Sequence, residues 1–220
     1  MKIYVGVSLF EYELEDIKEN PADFWLESLS LCGGGIVVGL RGTGISASGL
    51  KQIEFEVQCK RLQRLLDSRP PKLSLILGPH DGEAMEEVVR VQREAGKVDA
   101  IWLPPAAAHQ PELVQKAAGL GVPLLAAVNG LGPQGFKALQ DACKGALTTL
   151  CYIAAEGEAI SSMLMQLAWL RAQKYPVGLV ADDKVELQSA AALGADVLVP
   201  SRARAFKEDW QGVVVRLRRI

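Results

Sequence analysis

Short apolar runs alternate with longer amphipathic segments along this chain, and a glycine repeatedly stands just before the next apolar run. This rhythm limits the possible folds more than any single motif. The runs lie at Lys2–Leu9, Gly35–Leu40, Leu73–Leu77, Val98–Leu103, Val122–Val128, Ala146–Ile153, Val177–Val180 and Asp196–Val199. Most are rich in Val, Ile and Leu on both faces of an extended chain, as parallel strands covered on both sides require. Between them, Ala84–Glu94, Pro111–Ala118, Phe136–Cys143 and Glu186–Leu193 have helical spacing, with proline tolerated in a first turn. The glycines of EAGKVDA, GLGVPLL, CKGALTT and ALGADVL sit where a helix ends in the left-handed conformation.

Strand, helix, glycine and strand recur about every 25 residues, and right-handed crossovers between parallel strands close such a series into a (β/α)8 TIM barrel. With 220 residues, a single compact domain spanning 1–220 is expected. An open doubly wound sheet is the rival architecture. The first unit is the least regular, because Glu11–Cys32 contains Pro21.

The net charge of -2 gives no electrostatic reason to expect nucleic acid. Lys60, Arg61, Arg64 and Arg69 are close in sequence but follow Glu54 and Glu56, and they read as a solvated helix face. No apolar run approaches the ~20 residues of a spanning helix, so no membrane association is expected. The opening MKIYVGVSLF is followed by no small-residue cleavage site. Cys32, Cys59, Cys143 and Cys151 form no CxxC pair or zinc spacing, and they read as buried thiols in a reducing, cytoplasmic setting.

In a barrel of this kind, chemistry sits at the carboxyl ends of the strands. That rule selects Glu11 and Glu13; Arg41, Thr43 and Ser46; His80 and Asp81; His109; Asn129; Glu156 and Glu158; Asp182, Asp183 and Lys184; and Ser201, Arg202 and Arg204. His80 is the candidate proton-transfer group, and Glu156 and Asp182 are candidate bases or metal ligands. Asp81 reads equally as a helix N-cap. In GLRGTGIS, backbone amides and Arg41 offer an anion site, with a tight turn as the alternative. In VPSRARAF, Ser201 can cap a short helix and Arg202 or Arg204 can supply charge to a phosphate. The Asp182–Asp183 pair offers oxygen ligands for a divalent cation, the one cofactor suggested, and Asp183 can instead cap a helix. In AISSMLMQLAWLRAQ, the stripe of Met163, Leu164, Leu167 and Leu170 is broadened by Met165 and Trp169, which suggests a homo-oligomer interface or core packing.

The segment YPVGLVADD…AAALGADVL resembles the last two units of the N-acetylneuraminate (sialic acid) synthases, relatives of the phosphoenolpyruvate-condensing, aldolase-type barrels. LGPHD is similar to that family's Thr-Pro-Phe-Asp turn. VDAIWLPPAAAHQPELVQKAAGLGVPLLAAVNG follows the family's fourth strand, helix and fifth strand, so the likeness runs from Leu73 to Leu198. It implies a TIM barrel acting on a small anionic ligand. The family places metal-binding histidines on its sixth and seventh strands, where this chain has Cys151 and Asp182. It places substrate-holding lysines on its second and fourth strands, where this chain has Gly39 and Trp102. Its first-strand acidic motif has no match in YVGVSLFEY, and the carboxyl-terminal antifreeze-like domain of many members is not expected here. Two functions remain open. One is an enzyme with altered chemistry, a carbon–carbon lyase, synthase or isomerase on a sugar acid or sugar phosphate. The other is a non-catalytic barrel serving as a binding or partner subunit.

Overall fold

A computed structural model describes residues 2–8, 34–40, 48–79, 85–96, 98–155, 157–181 and 184–199. Eight strands are present: β1 (Ile3–Ser8), β2 (Gly35–Leu40), β3 (Ser74–Pro79), β4 (Ala100–Leu103), β5 (Leu124–Ala127), β6 (Leu147–Ile153), β7 (Val177–Val180) and β8 (Asp196–Val199). Each pairs in parallel with the next, and β1 also pairs with β8 through Ile3↔Val197, Tyr4↔Leu198 and Val5↔Val199. The strand order therefore closes, and the open-sheet alternative is set aside. The described helices are α1 (Ser48–Ser68), α2 (Met85–Ala95), α3 (Pro105–Ala108), α4 (Pro111–Ala118), α5 (Pro133–Cys143), α6 (Ile160–Ala172) and α7 (Lys184–Ala192). The segments following β1 and β8 lie outside the described residues.

The doubly apolar strands have a direct explanation. Alternate side chains of one strand enter two separate cores. Ile36, Val38, Leu75, Leu77, Ile101, Leu103, Leu150 and Leu179 point outward into the layer beneath the helices. Val37, Ile76, Ala100, Trp102, Leu125, Ala127, Cys151 and Val180 fill the interior, with Tyr4 from β1. The glycines preceding β4, β5, β6 and β8 adopt the expected left-handed conformation, with φ of 59° at Gly96, 72° at Gly121, 87° at Gly145 and 70° at Gly194. Pro105, Pro111 and Pro133 open their helices.

Two staples lie at the amino-terminal ends of the strands. Asp99, just before β4, accepts a hydrogen bond from the Leu75 amide at 2.8 Å and pairs with Arg69. Arg69 also donates to the Leu73 carbonyl at 3.3 Å. The Lys2 amide donates to Asp196 Oδ1 at 2.6 Å, which ties β1 to β8. Arg69 therefore lies beyond the end of α1 and belongs to a staple, and the solvated-face reading fails for that residue. On α6, Met163, Leu167 and Leu170 are buried, while Met165 is 67% and Trp169 38% exposed. Trp169 makes an edge contact with Phe136 of α5, with ring centroids 5.9 Å apart. Among the described residues no helix is long and apolar enough to cross a membrane.

Candidate functional site

Parallel pairing puts the carboxyl ends of the strands on one rim. Arg41 follows β2, His80 follows β3, Glu156 follows β6, Asp182 follows β7, and Ser201 and Arg202 follow β8, each within three residues of the strand's last residue. All six lie outside the described residues, as do Glu11, Glu13, Thr43, Ser46, Asp81, Asp183 and Arg204. Of the rim candidates, His109, Asn129 and Glu158 are described in full.

Asn129 follows β5 and reproduces a peptide unit. Its Nδ2 donates to the Ile153 carbonyl at 2.7 Å, and its Oδ1 accepts from the Ile153 amide at 2.8 Å. The β5–β6 pairing, which shifts register between Leu124 and Leu125, is thereby extended by one side-chain rung. His109 stands at the end of α3 with Nε2 at 3.1 Å from the Asn129 carbonyl oxygen. A carbonyl only accepts, so this contact puts a proton on Nε2.

Glu158 fastens the β6–α6 loop. Its carboxylate accepts from Tyr152 Oη at 2.8 and 3.1 Å, from the Ala155 amide at 3.1 Å and from Ser162 Oγ at 3.0 Å. The Glu158 amide donates back to the Ala155 carbonyl at 3.0 Å, and Gly157 inside this turn has φ of 74°. Partial burial opposes ionisation of Glu158. The Ala155 amide and the Tyr152 and Ser162 hydroxyls more than offset it, so the carboxyl sits below the ordinary glutamate range. Burial, then the Glu158 partner, pushes the Tyr152 hydroxyl up to about 12. Glu158 is thus a structural clamp, with its oxygens already taken.

The interior below the rim is apolar. Cys151 points inward, is 4% exposed and packs on Gly178, where an added Cβ would lie 2.9 Å from its Sγ. Burial, then the charge of Asp196, raises this thiol to about 12, with only the Gly178 amide acting the other way. A thiol held neutral in this way is a poor metal ligand, so the sixth strand does not suit the metal of the family this sequence resembles. Among the described residues no group of three or more His, Cys, Asp and Glu side chains is placed to hold a metal ion. On β4, Trp102 is 8% exposed and lies over β3, where a Cβ added to Gly78 would sit 2.9 Å from Trp102 Cβ and Cδ1. Elsewhere, a groove of about 440 Å3 on the helical exterior is lined by Glu86, Val89, Arg90, Arg93, Glu94 and Lys116 of α2 and α4. Lys116 there pairs with Glu86 at 2.8 Å.

No family model and no curated protein matches the sequence. Solved structures do. The N-acetylneuraminic acid (sialic acid) synthetase of Leptospira borgpetersenii serovar Hardjo-bovis, in complex with citrate, superposes with a TM-score of 0.66 at 13% identity, covering 99% of this chain and 82% of that one. A truncated 3-deoxy-D-arabino-heptulosonate 7-phosphate synthase of Thermotoga maritima gives 0.60 at 14% identity, covering 100% and 86%. The spore coat polysaccharide biosynthesis protein SpsE of Bacillus subtilis gives 0.68 at 10% identity, covering 99% and 67%. In fold, the chain is similar to the barrels of these synthases, from which its sequence has diverged widely.

Proposed function

We propose that the chain is an enzyme built on a complete (β/α)8 barrel. It binds a small anionic substrate, a sugar acid or sugar phosphate, at the carboxyl-terminal mouth, and its chemistry differs from that of the synthases it resembles. Arg41 and Arg202 clamp the anion, with Ser201 at the cap of the last loop. His80 transfers the proton, and Glu156 or Asp182 serves as base. The observation that supports this reading is the strand order: the strands leading into these residues are parallel and end on one rim. The solved neighbours add support, since one of them was captured with citrate, a small polyanion.

Cys151 and Trp102 stand where, by resemblance, a metal ligand and a substrate lysine would stand, so no step is routed through a metal. The same apolar interior favours a second reading, a non-catalytic barrel that binds a ligand or partner subunit. Thermal unfolding with N-acetylneuraminic acid, phosphoenolpyruvate or citrate tests the first reading. A ligand at 100 times its Kd stabilises the fold by about 2.7 kcal/mol, and Arg41→Ala or Arg202→Ala removes the shift. No shift with any of the three ligands overturns the assigned site. Binding without turnover of any sugar acid or sugar phosphate favours the second reading.

A further inference from the structure

Helix α6 is apolar on its outer side as well as on the side that meets the barrel. Met163, Leu167 and Leu170 are buried in the core, while Met165 and Trp169, one turn apart, are 67% and 38% exposed. Ser161, Ala168 and Ala172 beside them are exposed and small, so the two large side chains form a ridge next to a shallow groove. Trp169 is fixed from within, where Phe136 makes edge contacts with it and with Tyr175. The one charge of the helix is Arg171, in its last turn. A Cβ added to Gly194 would lie 3.6 Å from Arg171 Nη2, so the guanidinium reaches the turn before β8. Lys174 and Lys144 stand at the neighbouring turns, before β7 and β6, with φ of 64° and 49°. Glycine holds the left-handed position before β4, β5 and β8, and a lysine there bears backbone strain that glycine would not. Lys144, Arg171 and Lys174 are all exposed, and among the described residues none of them forms an ion pair.

From this arrangement we infer that the outer face of α6 and the basic turns at its end dock an acidic amphipathic helix of a partner protein. The partner's apolar residues pack on the Met165–Trp169 ridge, and its carboxylates meet Lys144, Arg171 and Lys174. From Met165 to Ala172 the axis of α6 runs about 10 Å, so a partner segment of about three turns reaches past the ridge to the cations. Charge selects this occupant over a second copy of the chain. Among the described residues, the carboxylate at the start of this face is Glu158, whose oxygens are already taken by Tyr152, Ser162 and the Ala155 amide. On the adjacent α5, the exposed Lys137 and Asp141 offset each other. Two copies meeting through this face would bring cations together without acids to receive them. The surface lies on the exterior and is independent of the proposed mouth site.

Display selection of random peptides of about 16 residues against the full chain tests this, with the recovered peptides measured by fluorescence polarisation. The expected result is that they combine Asp and Glu with Leu, Phe or Trp at helical spacing and bind Met165→Asp about tenfold more weakly than wild type. The double variant Lys144→Gly, Lys174→Gly removes two charges and suits the left-handed backbone; it should also weaken them about tenfold and flatten their salt dependence. Circular dichroism verifies the fold of each variant, and Met165→Ser takes the place of Met165→Asp if the latter does not fold. No acidic, apolar consensus among the peptides, or peptides that bind either variant as well as wild type, overturns the docking surface. So does a wild type that sediments as a dimer and becomes a monomer in Met165→Asp, since a second copy then holds the face.

Discussion

Replacing Gly78 by Ala tests the packing at the mouth without touching any rim loop. The added Cβ would meet Trp102 Cβ and Cδ1 at 2.9 Å and Cγ at 3.2 Å, whereas carbon atoms rest at about 3.5–4.0 Å. The indole would have to retreat by about 0.5–1 Å, and at 8% exposure it has little room. The β3 backbone cannot yield easily either, since it is laddered to β2 and β4. Overpacking of this kind costs about 1–3 kcal/mol. Loss of glycine freedom in the unfolded chain returns about 0.5–1 kcal/mol. The net expectation is a destabilisation of about 1–2 kcal/mol, or a fall in Tm of about 3–6 °C for a chain of this size.

Urea unfolding followed by circular dichroism measures this directly. The control is Gly119→Ala, where φ is -65° and the nearest atoms lie 3.4 Å from the new Cβ; it should be neutral or slightly stabilising. The decisive arm is a double-mutant cycle. In a Trp102→Leu background the penalty of Gly78→Ala should drop below about 0.5 kcal/mol, because its cause has been removed. If Gly78→Ala is as mild as the control, or costs the same in both backgrounds, the indole does not rest on Gly78.

Two further outcomes follow from the same packing. Glu158→Ala should destabilise the fold by about 2 kcal/mol, since hydrogen bonds to a charged group are lost and Tyr152 is left without its partner. Because the folded pKa of Glu158 is depressed, its contribution is present above the ordinary glutamate range and is lost as pH falls through the folded value. Urea midpoints of wild type and Glu158→Ala should therefore converge in acid, and curves that stay parallel would contradict the clamp. Cys143, pushed to about 11 by burial, and Cys151 should stay unlabelled by a thiol reagent at pH 8 until urea unfolds the chain, as read by peptide mass mapping.

Much of the scaffold was legible because its cause is local. Residues apolar on both faces specify a strand covered twice, and β2, β7 and β8 begin and end where the apolar runs do. The apolar runs begin two residues ahead of β4 and β5, at Val98 and Val122, because Val98 is buried and Val122 partly buried against the core just before the first ladder residues. The long helix α1 was only half visible. Cys59, Leu62 and Leu65 give it a buried edge, but charged and polar residues outnumber them along its length. Arg69 was misread because its partner Asp99 is 30 residues away and no local pattern reveals such a pair. The rim followed a rule of topology, so His109, Asn129 and Glu158 were selected for the right end of the barrel while their roles stayed hidden. Asn129 makes a rung with Ile153 and Glu158 ties down its own loop, and both roles depend on neighbours that exist only once strands are side by side. Trp102 was noted as a residue out of place in a resemblance. Its meaning depended on seeing Gly78 beneath it.

The fastenings at Asp99 and Asp196 hold the sheet from the end remote from the mouth. A barrel tied at its base can exchange the loops at its opening with little risk of coming apart. If the mouth binds as proposed, grafting a different β2 or β8 loop onto this chain changes its ligand more than its fold, and a scaffold so arranged can drift far in sequence while keeping its shape.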